Sequence, residues 1–283
     1  MKRIIKILLF TLISTNVFGT AQIPDLIIYN GDTLSLYSCP LNSYPDQDLI
    51  TPQGLFGSSG CFFTACWRNY VATWEIVDNE LFLTEIRNAC YPTSMRGVSA
   101  SFKSGVDKDS VGSEYADLKV LFPQKFKNGK VKADWVEGKM ISPQGKLLYY
   151  FHDGFQSIYE TEIEFTVEKG KLIETKILDN SKTKKSKYTE DQKLLMEYIH
   201  KNIKRENLPE SDTIKRRVFV QIISSDENGK IDSVKVVRGV NELYDKEAIR
   251  VVKSIPDWDV IYRHGERSYQ VWTLPINFDL TKD

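Results

Sequence analysis

The sequence predicts an α+β protein, with a β-rich N-terminal domain followed by a small ββαβ domain that has a preceding helix. Residues 25–178 mostly show the two-residue alternation of strands, residues 179–188 are rich in lysine, and helical and strand periods alternate from Thr189 onward. These observations divide the chain into a leader, a β-rich domain, a charged linker and a C-terminal domain, at residues 1–21, 22–178, 179–188 and 189–283.

The β-rich domain is predicted from repeated hairpin patterns. Residues 71–86 place alternating apolar residues on either side of Asp78-Asn79, which is typical of two strands joined by a tight turn. Residues 146–151 and 158–167 repeat this pattern, and the second run ends in a Lys-Gly turn. Only residues 113–121 have a helical pattern in this half.

The lysine-rich segment that follows predicts a solvated linker, because it contains no strong apolar residue. In the C-terminal domain, a capping-box match at Thr189 predicts the first helix, and residues 216–223 and 231–237 predict two strands. Asn241 can cap a second helix, which Pro256 ends. A period-2 apolar stripe predicts a last strand with inward residues Trp272, Leu274, Ile276 and Phe278.

The leader has the features of a secretory signal peptide. An apolar core around residues 7–13 follows the first basic residues, and Gly19 and Ala21 occupy the −3 and −1 places of a cleavage site before Gln22. The alternative is an uncleaved membrane anchor, but the apolar stretch at residues 4–18 is shorter than the roughly 20 residues that a spanning helix needs. We therefore expect an exported, periplasmic protein, which stays associated with the envelope if the leader is retained.

The charge balance excludes a nucleic-acid-binding role. The chain has 38 basic and 38 acidic residues, and subtracting Lys2, Arg3 and Lys6 of the leader leaves 35 basic residues and a net charge of −3. A nucleic-acid binder shows a basic face or stripe, and no segment of the mature sequence supplies one.

The four cysteines, Cys39, Cys61, Cys66 and Cys90, all lie in the first third of the mature chain. An even number in an oxidising compartment favours one or two disulfides, and the sequence does not choose among the three complete pairings. A thiolate metal site would need closer ligand pairs, so Cys61-x4-Cys66 is a weak signal for a metal. Unpaired buried cysteines are the other alternative.

No catalytic constellation is visible in the sequence. His152, His200 and His264 are isolated from one another, and His152 and Asp153 would point to opposite faces of a strand. The run Ser58-Ser59-Gly60 lacks the spacing of a phosphate loop or a nucleophile elbow. The sequence therefore favours a non-enzymatic protein, with no predicted catalytic residue, metal site or cofactor.

Short motifs follow one another in a fixed order in the C-terminal region: Val218-Phe-Val-Gln-Ile, Asp226-Glu-Asn-Gly-Lys, Val234-Lys-Val-Val-Arg-Gly, Asp245-Lys-Glu-Ala, Trp258 and Leu274-Pro-Ile-Asn-Phe. None of them is specific alone, but the ordered set resembles the C-terminal domain of TonB-family proteins over about residues 188–280. The resemblance implies a ββαβ domain whose last strand is a free sheet edge that takes up an extended peptide from the plug of an outer-membrane transporter. Strand addition suits such an edge, because it offers unpaired backbone groups in register.

The resemblance also points to candidate partner-binding residues. If the inward stripe continues back to Gln270, the outward residues beside it are Tyr269, Val271, Thr273 and Pro275. The family places an aromatic-proline step after the first helix, and the matching stretch here ends at Pro209 without the aromatic residue.

This chain differs in two features from the energy transducers of that family. Those proteins carry a membrane-retained N-terminal helix and a long proline-rich spacer, whereas this leader looks cleavable and the linker reaches at most about 40 Å. We therefore expect a periplasmic protein that binds a peptide or protein partner through its C-terminal module. The alternatives are a membrane-anchored energy transducer for TonB-dependent transport and a homodimer formed through the last strand.

Overall fold

The structure is a computed structural model that describes residues 20–92, 112–209 and 215–279. It is a mixed α+β protein, rich in sheet and with few helices, which confirms the predicted class. In these ranges no helix has the length and apolar character that crossing a membrane requires. Most of the leader lies outside the described residues, so its cleavage stays a prediction.

The N-terminal region is built from a nine-stranded sheet. Its strands are β1 (Asp25–Tyr29), β2 (Asp32–Leu36), β3 (Tyr70–Val77), β4 (Glu80–Asn88), β5 (Phe126–Lys127), β6 (Lys130–Lys132), β7 (Gly138–Tyr149), β8 (Ile158–Glu168) and β9 (Lys171–Asp179). The helical elements are a 3-10 turn at Pro40–Ser43, α1 (Pro52–Phe56) and α2 (Leu118–Leu121).

The sheet curls until its outer strands meet. The main path is β2-β1-β3-β4-β9-β8-β7, and the small β5–β6 hairpin pairs with β4. The N–H of Tyr37, just after β2, donates to the carbonyl of Ile141 in β7 at 2.7 Å, and the Ser142 hydroxyl donates to the carbonyl of Ser35 at 2.7 Å. The enclosed core includes the fully buried side chains Ile27, Leu36, Trp74, Leu81, Leu83, Ile86 and Phe165.

The predicted hairpins are present because their turns have the required chemistry. Asp78 and Asn79 join β3 to β4 with φ of 51° and 60°, and Lys169 and Gly170 join β8 to β9 with φ of 47° and 72°. Two successive left-handed residues match the right-handed twist of the strands that they connect.

The helix predicted at residues 113–121 is shorter than expected. The backbone of the segment before it pairs with the end of β4 instead, since Asn88 N donates to Glu114 O and Ala116 N donates to Ile86 O. Asp117 then caps α2 by accepting from the N–H groups of Lys119 and Val120. The sequence did not predict helix α1, which Thr51 caps by accepting from Gly54 N.

The C-terminal region has its own core of buried side chains. Its elements are α3 (Lys187–Glu190), α4 (Gln192–Asn202), a 3-10 turn (Arg205–Asn207), β10 (Arg216–Ser225), β11 (Ile231–Arg238), α5 (Glu242–Lys253), β12 (Ile261–Arg263), β13 (Glu266–Ser268) and β14 (Trp272–Phe278). The three-stranded sheet has the order β11-β10-β14, and residues of α4 and α5 pack with it in one cluster. The order of the main elements is the predicted one, and the sequence did not predict α3, the 3-10 turn or the β12–β13 hairpin.

The first helix of this region begins differently from the prediction. Thr189 does not cap it, because this residue lies inside α3; its hydroxyl is 2.6 Å from the Asp259 carboxylate and 2.9 Å from Ser186 O, the two acceptors available to its proton. Ser186 caps α3, and Asp191 caps α4 by accepting from Lys193 N and Leu194 N. The capping-box prediction was therefore wrong, since Thr189 belongs to a short preceding helix and Asp191 supplies the cap.

The segment expected to be a solvated linker is docked against both regions. Asn180 and Ser186 have no exposed surface. Lys184 pairs with Val260 through two backbone hydrogen bonds of 2.8 and 2.9 Å. The Asp259 carboxylate accepts from Ser186 N at 2.8 Å and from the Tyr149 hydroxyl at the end of β7 at 2.9 Å. Small polar residues between the lysines make these contacts, and local sequence could not show their partners.

Of the predicted disulfide candidates, Cys61 and Cys90 form a disulfide, with their Cα atoms 5.8 Å apart. Cys39 and Cys66 are free thiols. Cys66 is buried and its Sγ donates to the carbonyl of Tyr70 at 3.2 Å. The structure thus has one disulfide in the described residues and selects a pairing that the sequence left open.

Candidate partner-binding edge

Strand β14 forms one edge of the C-terminal sheet. It pairs antiparallel with β10, with Val218 opposite Ile276, and no other described strand pairs with it. Leu274, Ile276 and Phe278 are buried, whereas Thr273 and Asn277 are exposed. The predicted inward stripe is therefore present, and the other long side of the strand has no ladder partner in the described chain.

The predicted outward residues fall into two groups. Thr273 and Pro275 lie on β14, while Tyr269 and Val271 precede it and are 54% and 57% exposed. Gln270 was expected to face inward, but it is exposed. That expectation was wrong because the strand begins at Trp272, so the alternation does not extend back to this residue.

Pro275 defines which backbone groups the open edge offers. A proline inside a sheet has no N–H to give to a ladder, so its nitrogen faces the unpaired side. Because alternate residues share a direction, the backbone groups of Thr273 and Asn277 face the same side. The edge therefore offers the N–H groups of Thr273 and Asn277, together with the carbonyls of all three residues.

A groove runs between β14 and helix α4. It has a volume of about 410 Å³ and is lined by Met196, Glu197, Ile199, His200, Pro275 and Asn277. Met196 and Ile199 supply an apolar floor, and the exposed side chains Glu197 and His200 stand beside it. An extended segment added to β14 would lie in contact with this helix.

Sequence reasoning missed the helical wall of this groove. The helix itself was predicted, and its i, i+4 spacing places Met196 and His200 on one side. The pattern gave no sign that this side faces the last strand rather than solvent, since that depends on how the helix packs.

The two ends of the edge carry cationic side chains held in place by contacts. At one end Lys215 lies 3.0 Å from the Asp279 carboxylate, and Arg217 Nε donates to the Asn277 side chain at 2.6 Å. At the other end the Arg267 guanidinium lies 5.0 Å from the centre of the Tyr269 ring. Arg267 also donates to Ser225 O at 3.1 Å, so Tyr269 packs on a fixed cation.

Pro209 is half-buried and does not line the groove. The segment before it is held by Glu247 of α5, which has no exposed surface on its side chain. This carboxylate accepts from Lys204 N at 2.7 Å, from the Asn207 amide at 2.6 Å and from Arg250 Nε at 2.8 Å. Burial alone would raise the pKa of Glu247, but these donors hold the pKa below its ordinary value.

A second polar cluster lies in the core of the N-terminal region. Asp25 has no exposed surface and accepts from Arg68 at 2.8 Å, from Ala72 N at 3.1 Å and from Trp74 Nε1 at 3.1 Å. Burial raises the pKa of the Asp25 carboxyl, and the Arg68 charge and these hydrogen bonds oppose that rise. Burial also raises the pKa of the nearby Cys39 thiol to about 11, so this thiol is protonated at neutral pH.

The histidines occupy separate surroundings. His152 Nδ1 is 2.9 Å from the Tyr150 hydroxyl, and His264 Nδ1 is 2.7 Å from the Glu162 carboxylate. His200 is the exposed groove residue already described. Within the described ranges, no three His, Cys, Asp or Glu side chains are grouped as a metal ion would require.

Comparison with known proteins found no match to a family model, to a curated protein or to a solved structure.

Proposed function

We propose that this chain is a periplasmic, non-enzymatic protein whose TonB-like C-terminal module binds an extended peptide or protein segment by strand addition at β14. The observation that carries the proposal is the combination of an unpaired strand edge with the adjoining groove of α4. A partner of this kind is an outer-membrane transporter plug, as the resemblance of the C-terminal motifs implies.

The groove beside β14 supplies side-chain contacts that add affinity and specificity to the backbone pairing. Four or five edge hydrogen bonds contribute only about 2–7 kcal/mol, which corresponds to binding weaker than about 10 μM. Side-chain contact with Met196 and Ile199 adds affinity, because the groove floor is apolar. His200, Glu197 and Asn277 then supply polar contacts that distinguish one segment from another.

Binding of plug peptides to the mature chain tests the proposal. We expect saturable binding of at least one labelled peptide taken from the plug of an outer-membrane transporter, measured by fluorescence anisotropy. Two further versions of this peptide carry N-methyl groups either on its odd-numbered or on its even-numbered residues. Only one of the two should lose binding, because only one backbone edge of the peptide pairs with β14. If no peptide from any tested transporter plug binds, the proposal is refuted.

A proline substitution separates strand addition from other modes of binding. Thr273→Pro removes one N–H that faces the open edge and leaves the β10 ladder intact, so we expect it to weaken peptide binding by up to about tenfold. Thr273→Val is the matched control and should bind like the wild type. Unchanged affinity of the proline variant would exclude pairing at this edge.

The anchored-transducer alternative concerns the leader. N-terminal sequencing of the protein from cells distinguishes it, because a chain that begins at Gln22 has no anchor in its leader and cannot transmit a pull from the inner membrane. A chain that retains residues 1–21 would favour the transducer.

A further inference from the structure

Phe62 and Trp67 form an exposed aromatic pair on the surface of the N-terminal region. Phe62 is 71% exposed and Trp67 is 59% exposed. Their ring centres lie 5.2 Å apart, and the ring planes are nearly perpendicular, at 86°. Large apolar side chains that are exposed side by side mark a surface of contact with another molecule. The peptide binding proposed at β14 makes no use of this pair.

The segment that carries the aromatic pair contains no charged residue. Residues 49–67 are all uncharged, in a chain whose charged fraction is 27%. The next residue, Arg68, is turned inward, since its side chain is only 12% exposed and lies 2.8 Å from the buried Asp25 carboxylate. A molecule that covers this segment therefore does not have to remove water from a charge of the segment, and it gains no ionic attraction there. The other exposed residues of the segment are Gln53, Gly54, Gly57, Ser59 and Thr64.

A disulfide and hydrogen bonds fix the backbone around the aromatic pair. The disulfide joins Cys61, which is adjacent to Phe62, to Cys90 just after β4. The buried Asn69 side chain accepts from Cys61 N at 2.9 Å and donates to Cys66 O at 3.1 Å. Because the loop is already held in place, little conformational entropy is lost when the two rings bind a partner.

The aromatic pair lies beside the junction between the predicted leader and the folded chain. The Gln22 side chain accepts from Trp67 N at 3.2 Å and donates to Thr64 O at 2.7 Å. Only residues 19–21 separate Gln22 from the apolar stretch at residues 4–18, and each residue spans at most about 3.6 Å. While that stretch is inserted in a membrane, the aromatic pair therefore lies close to the lipid surface.

We propose that Phe62 and Trp67 form a membrane-docking patch, which inserts its two rings into the interfacial layer of a lipid bilayer. Aromatic rings are favoured at the level of the lipid headgroups, where apolar and hydrated layers meet. Two rings give weak and reversible binding, because stable attachment needs a second signal. The patch does not depend on the proposed function, since it belongs to the other region of the chain.

The geometry and the charge pattern favour lipid over other occupants of the patch. A sugar or a nucleobase stacks on a flat aromatic face, and two perpendicular rings do not form one shared face. A protein partner finds no charged side chain in residues 49–67 that would fix its orientation. A lipid surface needs neither, because it accepts protruding rings in any mutual orientation.

Vesicle binding of the mature chain tests the patch. We expect the wild type to co-sediment with sucrose-loaded vesicles of phosphatidylethanolamine and phosphatidylcholine at millimolar lipid. Phe62→Ser and Trp67→Ser should each weaken this binding by about tenfold, because each removes one inserted ring. Val120→Ser is the matched control, since Val120 on α2 is also 71% exposed, and it should bind like the wild type. Melting temperatures of all three variants check that the fold is retained.

Salt and brominated lipids test the mode of binding. The loss caused by Phe62→Ser should be the same at low and high salt, because no charge of the segment is screened. Lipids with brominated acyl chains should quench the tryptophan fluorescence of the wild type. Trp67→Phe should still bind but should lose most of the quenching, since Trp74 and Trp258 are buried.

The results that would overturn the patch are distinct from those that concern β14. Thr273→Pro changes only the β14 edge, so it should bind vesicles like the wild type even where it weakens peptide binding. A wild-type chain that does not co-sediment with vesicles, or an equal loss in Val120→Ser, would overturn the proposal. Self-association without vesicles that Phe62→Ser removes would also overturn it, because a second copy would then cover the patch.

Discussion

Arg68 Nη2 lies 2.8 Å from Asp25 Oδ1, and the Asp25 side chain has no exposed surface. The Asp25 carboxylate also accepts hydrogen bonds from the N–H of Ala72 and from the indole N–H of Trp74, both in β3. One buried charge therefore links β1 to β3. Breaking such a pair on one side leaves an uncompensated charge in the core.

We therefore predict that Arg68→Met lowers the free energy of unfolding by about 3–5 kcal/mol. The comparison variant is Lys125→Met, which removes a 2.5 Å ion pair with Asp134 at an exposed site. That change should cost at most about 1 kcal/mol, because exposed pairs are screened by water. Urea unfolding at pH 7 measures both values, and equal costs would show that the buried pair has no special role.

The disulfide should make a large contribution to stability. Cys61 and Cys90 are separated by 29 residues, so the bond constrains a sizeable loop of the unfolded chain. We expect the double variant Cys61→Ala/Cys90→Ala to lose about 3–4 kcal/mol of unfolding free energy. A loss below about 1 kcal/mol would mean that the unfolded chain keeps this loop compact even without the bond.

The remaining thiols should be unreactive in the folded protein. Burial raises the pKa of Cys39 to about 11 and raises the pKa of Cys66 as well, so little thiolate is present at pH 8. We expect iodoacetamide to label neither cysteine in the native chain and both of them in urea without a reductant, as read by mass spectrometry. Only the addition of a reductant in urea should release Cys61 and Cys90.

The Glu247 network predicts how stability depends on acid. The folded state lowers the pKa of this carboxyl, so its contribution is present above the unfolded value of about 4.3 and is lost as the pH falls through the folded value. Glu247→Gln should lose stability at pH 7 and should show a flatter decline between pH 5 and pH 3. Parallel curves for the variant and the wild type would assign the acid response to other groups.

Asp259 should couple the two regions of the chain. Its carboxylate holds Tyr149 of β7, Ser186 and Thr189, and hydrogen bonds to a charged group contribute about 1.5–3 kcal/mol each when their partner would otherwise be buried unpaired. We predict that Asp259→Ala splits a single calorimetric unfolding transition into two. Asp257→Ala, which removes the exposed contact with Lys184, should leave one transition.

Much of the local structure could be predicted from sequence because short-range chemistry decides it. The Asp78-Asn79 and Lys169-Gly170 turns fix two hairpins, and the Asn241 side chain caps α5 by accepting from Leu243 N and Tyr244 N. The apolar stripe on β14 also fixed which of its side chains are buried. The predictions failed where distant groups set the structure, as at residues 187–190, where contacts of Ser186 and Thr189 with Asp259 accompany an extra helical turn and Asp191 supplies the cap.

Periodicity and turn residues act over a few positions, so the α+β class, the hairpins and the inward face of the last strand could be predicted from them. The packing of distant elements brings Cys61 to Cys90, makes α4 a wall beside β14 and leaves one side of β14 without a partner strand in the described chain. Pairing, packing and exposure depend on which distant elements meet, and a local sequence pattern does not contain that information.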